Sequence, residues 1–469
     1  METFKKNKLA LALLGLSFSS GAFALEYNIN QLSQIQVLNP FAIDLNDSGQ
    51  VAWVQRESFE AGHPIMFWDG SAASQVATTK FDTIEVLTRL IAMNNAGKVV
   101  WLDTNTPYPG YFITPDQVMA WDGVQTSTLS SQVSPKGGLS DVNEAGQVSW
   151  YDGNESQFGR VLLSDGVTET VITDDLNGFR SGYNIQLNDA GQVVFGSSLY
   201  DPTTFNFNRT IKMWNGNALI DLDTIAGFDK WIGYEPQINE QGDVLWGVNQ
   251  YPNATIRLWD GVQTQDIAQL TDVFDARCFD INNEGQAVWI ADGPNGSFVQ
   301  HWDGSAVTTI APGSCATIND AGHIAWSAVE DNYSNVVYAT DGTDIIQLGS
   351  GSEKPVLNEN GDVAWATGNG VYLASIVKPL TPVEAVQALI ESVAQLNARA
   401  GIVNSLDAKL STATGVLDDV NSQNDIAAIN TLSAFIAAVQ AQSTTQIDTA
   451  DADKLIADAE AIIAQLTAG

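Results

Sequence analysis

The chain has 469 residues, 44% of them hydrophobic and 9% aromatic, which is enough apolar material for more than one core and too much for a disordered acidic tail. Its 55 acidic and 20 basic residues leave a formal net charge of −35. Such a surface repels nucleic acid, anionic lipid and polyanionic sugars, because no basic patch is available to neutralise phosphate.

Residues 1–24 read as a secretory signal peptide. Lys5, Lys6 and Lys8 form a basic start, Leu9 to Leu16 an apolar core, and Ala22-Phe23-Ala24 a small-x-small cleavage site. The apolar run is too short to span a bilayer, and no later stretch approaches the roughly 18–20 apolar residues a membrane helix needs. An exported protein is expected, secreted or at the cell surface, with no transmembrane segment.

From residue 42 to 375 the chain repeats itself. Eight segments, from LNDSGQVAW to LNENGDVAW, share the pattern Asn-x-x-Gly-x-apolar-x-aromatic. Their asparagines are Asn46, Asn94, Asn143, Asn188, Asn239, Asn282, Asn319 and Asn358, and their aromatics are Trp53, Trp101, Trp150, Phe195, Trp246, Trp289, Trp326 and Trp365. The spacing of about 45 residues falls where propeller blades repeat. A second motif of the Trp-Asp-Gly type follows each of the first seven, beginning with FWDG at 67–70 and ending with Ala339 to Gly342. Both motifs have turn chemistry. Asn or Asp bonds its own downstream backbone, and glycine accepts positive φ. Two turns between short alternating segments make four strands per unit, and an aromatic recurring once per unit reads as packing between blades.

The eighth unit has no fourth strand before Lys378-Pro379, whereas Tyr27 to Leu32 precedes the first unit and resembles an orphan fourth strand. Pairing the two would close a ring and remove both sheet edges. The pattern therefore predicts an all-β propeller over residues 25–377, eight-bladed in preference to seven-bladed or an open β-solenoid. The chain has two cysteines, too few for a disulfide scaffold. Cys278 and Cys315 each lie seven residues before a repeat glycine, so a bridge between neighbouring blades and two separate buried thiols both stay open.

After Thr381 the period changes to about 3.6. Thr381-Pro382-Val383-Glu384 is a capping-box start, and apolar stripes continue through Val386, Leu389 and Val393, then Leu406 and Leu410, then Ile426, Leu432 and Phe435, then Leu455, Ala459 and Ile462. Residues 378–469 should form a small antiparallel bundle of three or four helices.

The tandem motifs resemble the NxxGxxxW-type and HAF-type extracellular repeats of bacterial secreted and surface proteins. AAINTLSAFIAAVQAQ followed by TADADKLIADAEAIIAQL resembles the FIMAH-type helical module that ends many secreted bacterial hydrolases and surface proteins. The resemblance implies export and a repetitive β architecture and no single activity; the helices themselves, with no His or Cys and few aromatics, read as an attachment or spacer domain.

Chemistry is sparse. His63 in a loop, His301 and His323 share no metal-ligand spacing, and no nucleophile elbow or phosphate loop stands in a suitable context. DLNDSG, DVNEAG and DINNEG partly resemble calcium loops, but the leading aspartate occurs in three units only (Asp44, Asp141, Asp280) and Gln55 stands where the distal glutamate is required. No cofactor is expected beyond loose calcium binding by an acidic surface.

The two turn types lie on one face, leaving strand 2–3 loops and crossovers of variable length on the other. That variable face carries Tyr108, Tyr111, Phe207, Tyr251 and Tyr333 in loops, and Trp231 and Tyr234 in one long crossover. Exposed rings among Asn, Asp and Thr suit stacking on sugars, and function concentrates in variable loops on a rigid scaffold. A non-catalytic binding protein for a glycan or an extracellular protein is the first reading. A polysaccharide lyase or glycoside hydrolase, with His63 and Arg180 in segments assigned to the same face, is the alternative, and a passive matrix component the third.

Overall fold

The computed structural model describes residues 25–38, 42–57, 62–80, 90–103, 117–130, 138–154, 157–173, 185–204, 206–226, 231–232, 236–330, 334–351, 354–377, 380–417, 423–443 and 445–468. Each copy of the first motif closes a hairpin with a tight turn and a bulge. In the first copy the Gly49 N–H donates to the Asn46 carbonyl at 3.0 Å, and the Asn46 N–H to the Gln50 carbonyl at 3.1 Å. Gly49 takes φ +71°, a left-handed conformation that a Cβ disfavours. At two of the turns a Cβ would also displace a neighbour. A Cβ on Gly191 or Gly242 would lie 2.9 Å from the Gln147 or Gln192 side chain of the preceding blade.

Among the described residues the strands form eight antiparallel sheets. Seven are sequential, over residues 43–79, 91–130, 138–173, 185–226, 231–271, 275–312 and 315–350, and are numbered as blades 1 to 7. Blade 8 takes Val356–Leu357, Val363–Thr367 and Gly370–Ile376, and its outermost strand is Tyr27–Ser33 from the start of the chain. Tyr27 pairs with Ile376 and Gln31 with Tyr372, and the Val377 N–H donates to the Glu26 carbonyl at 2.9 Å. The first strand of each blade contacts that of the next, and Val356–Leu357 contacts Ile43–Leu45. The domain is an eight-bladed β-propeller closed by its two ends, as the orphan-strand pattern predicts. The eight motif aromatics are each 0 or 1% exposed, so they are core between blades.

A closed circle of hydrogen bonds joins the motif asparagines. Asn46 Nδ2 donates to the Asn94 carbonyl, Asn94 to Asn143, Asn143 to Asn188, Asn188 to Asn239, Asn239 to Asn282, Asn282 to Asn319, Asn319 to Asn358, and Asn358 back to Asn46, all at 2.8–3.2 Å. The same side chains accept from their own turns through Oδ1, as Asn46 does from the Ser48 and Gln50 N–H groups. All eight are buried, at 1–4% exposure. A second circle runs beside the first. The backbone N–H after each asparagine donates at 2.7–2.8 Å to the side chain of the equivalent residue one blade on, through Asp47, Asn95, Glu144, Asp189, Glu240, Asn283, Asp320 and Glu359.

Two of the leading aspartates serve the same seam. Asp44 Oδ2 accepts the Met93 N–H of the next blade at 2.7 Å, and Asp280 Oδ2 accepts the Ile318 N–H at 3.0 Å. The second motif forms an outer turn, in which Asp69 Oδ1 accepts the Ser71 and Ala72 N–H groups at 2.8 Å. Those backbone donors hold its carboxyl below the usual range. Cys278 and Cys315 are bonded to each other with Cα atoms 5.3 Å apart. The bridge links the first strands of blades 6 and 7, Asp275–Ile281 and Cys315–Ile318.

Contacts divide the described chain between residues 377 and 378. The second unit holds four helices, Pro382–Ala394, Ala400–Leu417, Gln423–Gln442 and Thr449–Ala468. Thr381 caps the first with a reciprocal capping box to Glu384. Val386, Val393, Leu410, Leu432, Phe435 and Ala459 are fully buried along facing stripes. Ile426 departs from its expected stripe at 66% exposure; the buried face of that helix begins at Ala428. Among the described residues no helix is long and apolar enough to cross a membrane.

Two stability predictions follow from these seams. Asn143→Ala leaves the Gln147 N–H without its acceptor and removes the donor to the Asn188 carbonyl, and should cost about 1–3 kcal/mol in denaturant unfolding. Asn143→Asp, which keeps the acceptor and loses the donor, should cost at least as much at neutral pH. Replacing Cys278 and Cys315 together by serine should lower unfolding free energy by about 2–4 kcal/mol, through the greater freedom of the unfolded chain. Equal stability of reduced and oxidised protein would contradict it.

Candidate functional site

An antiparallel four-stranded blade puts its 1–2 and 3–4 turns at one end and its 2–3 hairpin and outgoing crossover at the other. The two motif turns thus share one face, and the hairpins of variable length occupy the opposite face. Of the aromatics assigned to that variable face, Tyr108, Tyr111, Tyr234 and Tyr333 lie outside the described residues. Only the backbone is described for Trp231 and Phe207. Trp231 is in a strand rather than a free crossover. It pairs with Asn249, because the second strand of blade 5, Val244–Gln250, is long enough to pair with Trp231–Ile232 as well as Gln237–Ile238. Phe207 likewise pairs with Tyr200 inside the extended hairpin of blade 4, where Val193–Asp201 and Asn206–Trp214 continue into the region read as loop.

His63 also departs from the loop expected for it. It opens the third strand of blade 1, is 1% exposed, and accepts the Glu57 N–H through Nδ1 at 3.1 Å. A buried ring in a strand is not presented to a polymer on the face. Arg180 lies outside the described residues.

Tyr251 stands where the variable-face reading places it, at the tip of the blade 5 hairpin, and is 64% exposed. It stacks on Phe274, itself 49% exposed, with ring centroids 6.0 Å apart and planes 17° from parallel. The Phe274 ring belongs to the short crossover into blade 6 and escaped the sequence reading, which weighed aromatics in hairpin loops and in the one long crossover. Its signal is a single aromatic in the short crossover stretch TDVFDAR.

The backbone fixes this crossover on both sides. The Val273 N–H donates to the Pro252 carbonyl at 2.9 Å and the Phe274 N–H to the Asp292 carbonyl at 2.6 Å. Asp272 takes φ +57°, and its carbonyl lies 2.9 Å from where a Cβ on Gly293 would be. Beside the strap, between the outer strand of blade 5 and the middle hairpin of blade 6, lies a groove of about 430 Å³ lined by Gln269, Thr271, Asp272, Asn295, Phe298 and Gln300 among others.

The opposite end of the ring axis is acidic. Six of the eight side chains in the second circle are carboxylates (Asp47, Glu144, Asp189, Glu240, Asp320 and Glu359). Burial raises the Glu240 and Glu359 pKa values, and neighbouring carboxylates of the circle add to the rise. Among the described residues no three His, Cys, Asp or Glu side chains are grouped as a metal ion requires.

A carboxyl whose folded pKa is raised is stabilising when protonated, and that contribution is lost as pH rises through the folded value. Glu240→Gln keeps an oxygen to accept the Asp189 N–H and removes the charge. Its melting temperature should exceed that of the unaltered chain at neutral pH, and the difference should vanish on acidification below the ordinary glutamate range. An unchanged difference across pH would show that the charge is not what the site resists.

No protein-family model matches the sequence, and no curated protein matches it. Solved structures do match. The β-propeller domain of the trilobed protease from Pyrococcus furiosus, described as having an open velcro topology, is 12% identical with a TM-score of 0.41, over 62% of this chain and 95% of that one. The Dos1 propeller is 11% identical with a TM-score of 0.47, over 75% and 95%. A streptogramin B lyase is 10% identical with a TM-score of 0.41, over 76% and 100%. None of these likenesses carries an activity to this chain.

Proposed function

We propose that the chain is an exported, non-catalytic binding protein whose variable propeller face recognises a glycan, with the helical unit as its attachment or spacer module. The observation that carries the reading is the Tyr251–Phe274 pair, two stacked rings left largely in solvent on the face where loop lengths vary. Large apolar rings are seldom left exposed side by side unless they meet something, and a ring with a flat apolar face and a polar rim is a natural partner for the C–H face of a sugar. The hairpin and crossover that carry them are held by backbone hydrogen bonds, so little freedom is lost on binding. A net charge of −35 disfavours polyanionic partners.

Retention on immobilised polysaccharides, with product analysis of the same incubations, tests the reading. The expected result is retention by at least one uncharged polysaccharide with no new reducing ends and no unsaturated products. Release of either product would overturn the non-catalytic assignment in favour of a depolymerising enzyme, and retention by protein fractions alone would overturn the glycan assignment.

A further inference from the structure

We infer that the groove at the seam of blades 5 and 6 is a saccharide subsite selective for uncharged sugars, with one residue stacked on the Tyr251–Phe274 pair and the next seated against Asn295 and Gln300. This deepens the glycan reading above and rests on it. Three observations place the ligand here.

The first is continuity. Tyr251 precedes Pro252, whose carbonyl holds Val273 in the groove wall, and Phe274 follows Val273 directly, so platform and groove share one strap of backbone. The second is the lining. Gln269, Asn295 and Gln300 carry carboxamides and Thr271 a hydroxyl, groups that both donate and accept, as sugar hydroxyls do. Phe298 adds an apolar wall to the same groove.

The third is charge. The lining contains one carboxylate, Asp272, and no Lys, Arg or His. A uronate or sulfated sugar would therefore bury its charge without a counter-charge, inside the field of a strongly acidic chain. A basic peptide would find one carboxylate where it needs several. An uncharged sugar meets neither difficulty, and Asp272 can accept from two of its hydroxyls.

The site is also preorganised. Gly293 lets the Asp272 carbonyl approach to within 2.9 Å of the position a Cβ would occupy, which brings strap and hairpin together beside the groove. Alanine there would push strap and hairpin apart.

The test is titration of the full chain with short neutral gluco-, xylo-, manno- and galacto-oligosaccharides, with oligogalacturonate and oligolysine as charged probes. The variants are Tyr251→Ala, Tyr251→Phe and Asn295→Ala, all at exposed hairpin positions, with melting temperature followed for each. At least one neutral oligosaccharide should bind. Tyr251→Ala and Asn295→Ala should each weaken it about ten-fold or more, Tyr251→Phe about two-fold at most, and all three should melt as the unaltered chain does. If the unaltered chain binds no glycan, the glycan reading itself fails. If it binds neutral glycans and both alanine variants bind equally well, that reading stands and this site is wrong. Stronger binding of oligogalacturonate or oligolysine than of every neutral probe would overturn the ligand class.

Discussion

A carboxamide is a short side chain that can accept from its own turn through one atom and donate to a neighbour through the other. Eight of them, one per blade, do both at once. Oδ1 pins the hairpin that ends each first strand, and Nδ2 reaches the carbonyl of the next asparagine, until Asn358 returns to Asn46. Aspartate would lack the donor, serine the reach and the second function. Each bond is worth about 0.5–1.5 kcal/mol net. The bonds are buried, however, and lie in a closed circle, so losing one asparagine side chain leaves an unmet N–H in its own turn and removes a tie to the next blade. The glycine three residues on completes the device, because its positive φ closes the turn that Oδ1 pins.

That circle leaves the other end of each blade free of such constraints. Motif turns, aspartate caps and the inner strands hold one face to a single geometry, while the hairpins opposite range from the tight Gly293–Gly296 turn to the long hairpin of blade 4. Variation collects where the circle does not reach. The Tyr251–Phe274 pair and the groove beside it belong to that freer face, yet the strap that carries them is itself tied to both blades by backbone bonds. Rigid support beneath variable side chains is the arrangement a binding surface needs.

The acidic character of the chain is unevenly used. In the inner circle the carboxylates are acceptors for backbone N–H groups, a structural duty that tolerates their mutual repulsion because each also satisfies a donor. On the outer turns they are solvated caps. In the groove Asp272 stands as the one carboxylate among neutral polar groups. The same residue type is thus seam, cap and groove-lining group according to its neighbours.

The repeat period, the turn chemistry, the unpaired strand at each end and the change of period after Thr381 were legible in residue order, because each is a local property with a fixed spacing. Blade count and ring closure followed from them. The closed circles were not legible. The sequence displays eight asparagines, and their role as turn residues explains Oδ1, but nothing along the chain says that Nδ2 will meet a carbonyl about 45 residues away; only curvature of the whole ring brings them together. Residue order leaves the bridge between Cys278 and Cys315 open for the same reason. His63, expected in a loop, is buried in a strand, and Trp231, expected in a long crossover, pairs with Asn249, because strands run on wherever a neighbour of sufficient length offers hydrogen bonds. Phe274 gained meaning from Tyr251 alone, a ring on another blade. Residue order determined the units and how they repeat, which is short-range chemistry; tertiary structure decided which atoms of different units face one another, and the candidate site is made of such pairs.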